Sequence, residues 1–119
     1  MDERELKQRT KQFALRVMKL MGSLPQDSVA RAIGNQLVRS GTSVGANYRA
    51  ACRGRSKAEF AAKLGIVEEE ADECCFWMEL IIESELLKKE LVEPLLAEAN
   101  ELVAIITASR ITLAKAKRQ

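Results

Sequence analysis

With 119 residues the chain can build one domain around a real core, but not two. Its residues are 47% apolar and 30% charged with a net charge of +2, a composition that excludes a disordered polymer. No apolar run approaches the roughly 18 to 20 residues that cross a bilayer, and the opening MDERELKQRTK is charged where a signal peptide would be greasy. These features predict a cytoplasmic protein with no membrane partner. Ala, Leu, Glu, Lys and Arg dominate, so the expected fold class is all-α.

The first helix is expected from about residue 4 to 22, because Leu6, Phe13, Val17, Leu20 and Leu24 fall on one stripe. Gly22 is its stop. In the connector SLPQDS, Ser23, Asp27 or Ser28 can cap the next helix.

The second helix, about residues 27 to 53, carries Val29, Ile33, Leu37, Val44 and Ala51 as its expected core stripe. Beside that stripe run Gly34, Gly41, Gly45, Tyr48 and Cys52. Glycine inside a helix costs about 1 kcal/mol relative to alanine, so this strip marks either a close helix approach or a kink near SGTSVG. GTSVG lacks the spacing of a phosphate-binding P-loop, and no strand precedes it. On the far side stand Arg31, Asn35, Arg39, Thr42, Arg49 and Arg53, with hardly a carboxylate among them.

Ser56 and Glu59 form a capping box that opens a third helix, expected to reach about Lys88. Phe60, Leu64, Val67, Ala71, Cys74, Met78 and Ile82 make its core stripe, with Cys75 at the margin. A second apolar set, Ala62, Ile66, Trp77 and Leu80 with Ile81 at its edge, lies away from that stripe. Such a surplus points to an association surface, with Ile66, Trp77 and Leu80 as candidate interface residues and Trp77 as the anchor. The last helix is expected to begin at Pro94 and run to about Lys117 on a stripe of Leu95, Ala99, Leu102, Ile106, Ser109 and Leu113. Arg110, Lys115, Lys117 and Arg118 end the chain with a basic tail. Four helices with short connectors predict an antiparallel up-down-up-down four-helix bundle.

Charge is segregated along the chain. Residues 1 to 56 hold 11 basic and 4 acidic side chains, and residues 57 to 101 hold 4 and 13. Either oppositely charged helices pair with each other, or the basic segment serves an anionic partner such as RNA or DNA. On the second reading Arg31, Arg39, Arg49 and Arg53 contact phosphates, with Arg55 nearby.

Covalent chemistry is poorly supported. Glu69 with Glu73, and Glu79 with Glu83, have metal-site spacing, but the chain has no histidine to complete a di-iron or zinc site. Cys52, Cys74 and Cys75 have neither CxxC spacing nor an imidazole base, so they are expected to be reduced core residues. We therefore expect a non-enzyme with no metal and no cofactor.

The segment QLVRSGTSVGANYRAACRGRSKAEFAAKLGIVEEEADE, together with the later LLAEANELVAIITAS, resembles the four-helix-bundle proteins encoded by intervening sequences of bacterial large-subunit ribosomal RNA genes, also described as ribosomal protein S23-like. The shared features are Gln36 to Ser40, Ser43 to Asn47, Ala50 to Gly54, and Ser56 to Phe60. Gly45 and Arg53 depart from the common pattern, which marks a subgroup. The resemblance implies a cytoplasmic bundle that forms a homo-oligomeric ring, commonly a pentamer. It also implies a likeness in fold to the accessory variability proteins of diversity-generating retroelements, which work with a reverse transcriptase and its RNA. Two functions are expected in consequence: a non-catalytic oligomer that binds nucleic acid, or a structural or protein-interaction ring without a nucleic-acid role.

Overall fold

The computed structural model describes residues 1–118, with side chains through residue 116, so the Lys117 and Arg118 side chains of the expected basic tail lie outside the described residues. Four helices succeed one another: α1 (Glu3–Met21), α2 (Ser28–Cys52), α3 (Lys57–Glu83) and α4 (Lys89–Arg118). Among the described residues there is no strand.

Local chemistry explains most helix ends. The Asp2 carboxylate accepts from the Glu5 N–H at 2.8 Å and the Asp27 carboxylate from the Ala30 N–H at 2.9 Å, satisfying donors that a first helical turn leaves unpaired. The expected capping box also forms. Ser56 Oγ accepts from the Glu59 N–H at 3.1 Å, and the Glu59 carboxylate accepts from the Arg55 N–H at 2.6 Å.

Two boundaries differ from expectation. α3 ends at Glu83 rather than near Lys88, because Glu85 turns into the left-handed region at φ 59° and the Leu86 N–H bonds back to the Ile81 carbonyl. α4 begins at Lys89, five residues before Pro94, so the proline sits inside the helix. Its ring removes one backbone donor near the helix start, where fully buried Val92 and a Lys89–Glu93 ion pair at 3.3 Å hold the turn.

Each helix packs against its predecessor in antiparallel sense: Gly45 lies opposite Thr10, Ser40 opposite Cys74, and Cys75 opposite Asn100. α1 and α3 occupy opposite corners, since α1 packs on α2 and, over a much shorter seam, on α4. The result is an elongated four-helix bundle of 51 × 22 × 20 Å. Phe13, Leu37, Leu64, Met78, Leu102 and Ile106 fill its centre with essentially no solvent exposure. The buried Thr10 and Ser40 hydroxyls donate back to the carbonyls of Leu6 and Gln36, so neither is left without a partner.

The core face of α2 is rotated from the expected one. Val29 is 60% exposed, whereas Ala30, Gly34, Leu37, Gly41, Val44, Tyr48 and Ala51 are buried. The glycine strip is therefore the packing surface against α1, and α2 runs unbroken through SGTSVG without a helix break. Hydrophobic bulk pointed to Val29, but helix proximity selected the small residues.

The short α1–α4 seam is tied by Arg9. Its Nε and Nη2 donate to the two carboxylate oxygens of Glu98, each at 2.7 Å, and Nη2 lies 2.9 Å from Glu101. Side-chain exposures of 22% and 16% shelter the Arg9–Glu98 pair from much of the solvent screening. Hydrogen bonding from Arg9 holds the Glu98 carboxyl below its ordinary range. A depressed folded pKa stabilises the fold above the unfolded value, about 4.3, and that contribution fades as pH falls through the folded value. Arg9→Met should thus cost about 2 kcal/mol in urea unfolding at neutral pH. The gap to the parent protein should narrow below about pH 4; an unchanged gap would show that the Glu98 ion pair contributes little.

Candidate nucleic-acid interface

The glycine-lined seam brings α1 and α2 close enough that their outer edges form a shallow groove. A Cβ built on Gly45 would lie 3.3 Å from the Thr10 carbonyl oxygen, so backbone meets backbone there. Ala14, Thr42, Gly45 and Ala46 give the groove a floor without bulk. Arg4, Lys7 and Lys11 rise on the α1 side, Arg49 and Arg53 on the α2 side. Asp2 and Glu3 close one end.

Most of these cations are unpaired. Lys7 is 3.0 Å from Glu3, and hydrogen bonding first from Lys7 and then from Cys52 lowers the Glu3 carboxyl below its usual range. Among the described residues, Arg4, Lys11, Arg49 and Arg53 have no carboxylate within ion-pair distance. Four uncompensated positive charges on one concave surface repel one another, and a bound polyanion relieves that repulsion.

The sequence-selected arginines therefore divide. Arg49 and Arg53 stand together in the groove. Arg31 is exposed near the start of α2 and donates to the Gln26 carbonyl at 3.1 Å, while Arg55 is exposed in the α2–α3 connector. Arg39 belongs to an intramolecular clamp instead: its guanidinium pairs with Glu70 at 3.1 Å and with Glu73. Glu73 is pushed up by desolvation but ends below its usual range, because hydrogen bonds from Trp77 and Arg39 outweigh that cost. Arg110 of the basic tail is likewise paired, with Glu68.

Arg4, Lys7 and Lys11 carry no signal of their own in the sequence beyond a spacing of three and four residues, which places them on one helix face. Their significance depends on the neighbouring helix that supplies Arg49 and Arg53.

The candidate association surface lies on the outside of α3. Ile66 is 40% exposed, and Leu80 is half-buried. Trp77 is also half-buried: it packs on the core, and its indole N–H donates to Glu73 at 3.1 Å. The exposed ring is its neighbour Phe76, 53% accessible, which meets Trp77 edge-on at 5.1 Å between centroids. Helical spacing puts Glu69, Asp72 and Glu79 around Phe76, so the stripe is acidic as well as apolar.

The cysteines are free thiols. Desolvation pushes Cys74 up to about 12 and Cys75 up to about 11, leaving both protonated at neutral pH and weak as nucleophiles. Among the described residues, no three Cys, Asp or Glu side chains gather as a metal-binding cluster. No helix is long and apolar enough to cross a membrane.

The model of the 23S rRNA-intervening sequence protein family matches residues 2–108. The chain belongs to that family. A solved relative supports the assignment in three dimensions: a protein of unknown function from the S23 ribosomal protein family of Bacteroides thetaiotaomicron VPI-5482, determined at 1.70 Å resolution. It is 33% identical, aligns over 87% of this chain and 96% of its own, and superposes with a TM-score of 0.82. No match is found among curated proteins. The family resemblance seen in the motifs from Gln36 to Phe60 thus extends through nearly the whole chain.

Proposed function

We propose that this member of the 23S rRNA-intervening sequence protein family is a non-catalytic, self-associating bundle that holds the phosphate backbone of a nucleic acid in its α1–α2 groove. The convergence of Arg4, Lys11, Arg49 and Arg53 without carboxylate partners carries this reading. Phosphate contacts release counterions from the polyanion, so such a groove acquires most of its affinity from salt-sensitive electrostatics. Arg31 and Arg55 extend the positive field beyond it.

Self-association uses the acidic apolar stripe on α3, with Phe76 and Ile66 as contacts and Trp77 and Leu80 behind them. A ring of copies, five in the arrangement expected from the resemblance, would multiply weak grooves into a high-avidity surface. Titration of a fluorescent RNA or DNA probe at low salt tests the ligand, and absence of binding overturns the nucleic-acid role. Light scattering tests the assembly. Phe76→Asp should yield monomers while lowering stability by less than about 1.5 kcal/mol, since it removes an exposed edge contact rather than core. If Phe76→Asp leaves the particle mass unchanged, α3 is not the interface.

A further inference from the structure

Resting on the nucleic-acid reading of the groove, we infer that its ligand is a double helix, RNA or DNA, held by one strand's backbone without base readout. The groove lining contains no aromatic side chain among the described residues. Proteins that prefer single strands obtain about 1–3 kcal/mol per base from stacking on aromatic rings, and this surface has none to offer. Its polar reach consists of guanidinium and ammonium groups, which recognise phosphate. The small floor of Ala14, Gly45 and Ala46 lets a sugar–phosphate strand approach closely while leaving paired bases turned away.

Length agrees with that geometry. Arg4 and Lys11 are seven residues apart, so about 10 Å of helix separates them. Along the duplex axis each strand carries a phosphate about every 3.4 Å, so this reach keeps all four unpaired cations, two on each wall, within range of the phosphates of one strand. Asp2 and Glu3 terminate the groove with negative charge and prevent the contact from running further.

Duplexes hold counterions more densely than single strands, and the salt slope per neutralised phosphate is about 0.9 against about 0.7. With four contacts and no other difference, a duplex should bind about tenfold tighter than its single strand at about 50 mM monovalent salt. The logarithmic slope should be about −3.6 for each chain engaged.

The experiment is fluorescence polarisation of the full-length protein with labelled duplex RNA, duplex DNA, their separate strands and sequence-scrambled versions, across a salt series. A duplex of either sugar that outbinds its own strands by about tenfold, irrespective of sequence, supports the inference. Single strands that bind as tightly as duplexes, or a scrambled duplex that loses affinity tenfold, overturn it while leaving the nucleic-acid function standing. If no probe binds, the proposed function itself falls, and this inference with it. Ala46→Glu provides a second arm: a carboxylate on the exposed groove floor should weaken duplex binding at least tenfold, with retained helical circular dichroism as the folding control. An unchanged affinity in the folded variant overturns the groove as the seat.

Discussion

Reversing two groove charges, Arg49→Glu with Arg53→Glu, should weaken duplex binding at least about 100-fold at about 50 mM salt. Each phosphate contact contributes about 0.9 to the logarithmic salt slope, so losing two of four removes roughly two orders of magnitude before repulsion is counted. The slope itself should fall by about half. Both side chains lie in the open groove and make no ion pair among the described residues, so the fold loses little. A glutamate beside the C-terminal end of α2 opposes the helix dipole at a cost of about 0.3–1 kcal/mol. The matched control is Arg39→Gln, which breaks the clamp to Glu70 and Glu73 yet should leave affinity within about threefold. If the double reversal instead disassembles the particle while Arg39→Gln alone reduces binding, the groove is a subunit contact and the ligand lies elsewhere.

Gly41→Leu should cost about 4 kcal/mol or more, a large share of the 5–15 kcal/mol that stabilises a typical domain. Even a bare Cβ at Gly41 would lie 2.8 and 2.9 Å from the two γ-methyl groups of Val17. Val17 is fully buried, and a β-branched residue in a helix has essentially one side-chain rotamer available. The intruding atoms can therefore be accommodated only by moving α1 as a body. At Gly34 the corresponding Cβ would collide with the Met21 Cε and Sδ, but that thioether is the far end of a flexible chain and can swing aside. Gly34→Ala should accordingly be neutral or stabilise by up to about 1 kcal/mol through helix propensity. Urea unfolding of the two variants checks the contrast. Equal effects would mean that the seam yields everywhere, and that the groove above it has no fixed width.

The fold was legible in the sequence because 3.6-residue periodicity and the punctuation at Gly22, Asp27 and Ser56 mark helices without tertiary information. Errors arose where one local rule stood in for three-dimensional competition. Pro94 suits a first helical turn, but buried Val92 extends α4 backward past it. Val29 is more apolar than Ala30, yet contact with α1 favours the residue that allows the backbones to approach. The candidate site was only half legible for the same reason. A basic face on α2 could be read from spacing, whereas the separation of Arg39 from Arg49 and Arg53 depends on which stretch of α3 reaches across to it. Arg4, Lys7 and Lys11 gain their meaning from a partner helix. Phe76 is easily passed over beside the larger indole, although it faces nearly opposite the core stripe of α3.

Placing the cationic wall of α1 and the carboxylate-rich outside of α3 at opposite corners gives the molecule a permanent electric moment across its width. A distant polyanion would rotate the bundle before touching it, presenting the guanidinium side first, while two copies would drift together with unlike flanks facing. Added electrolyte shortens the range of that torque to about 8 Å at physiological ionic strength, less than half the bundle's thickness. Orientation in flight is thus a property of dilute media, and at physiological ionic strength the same asymmetry acts only at near contact.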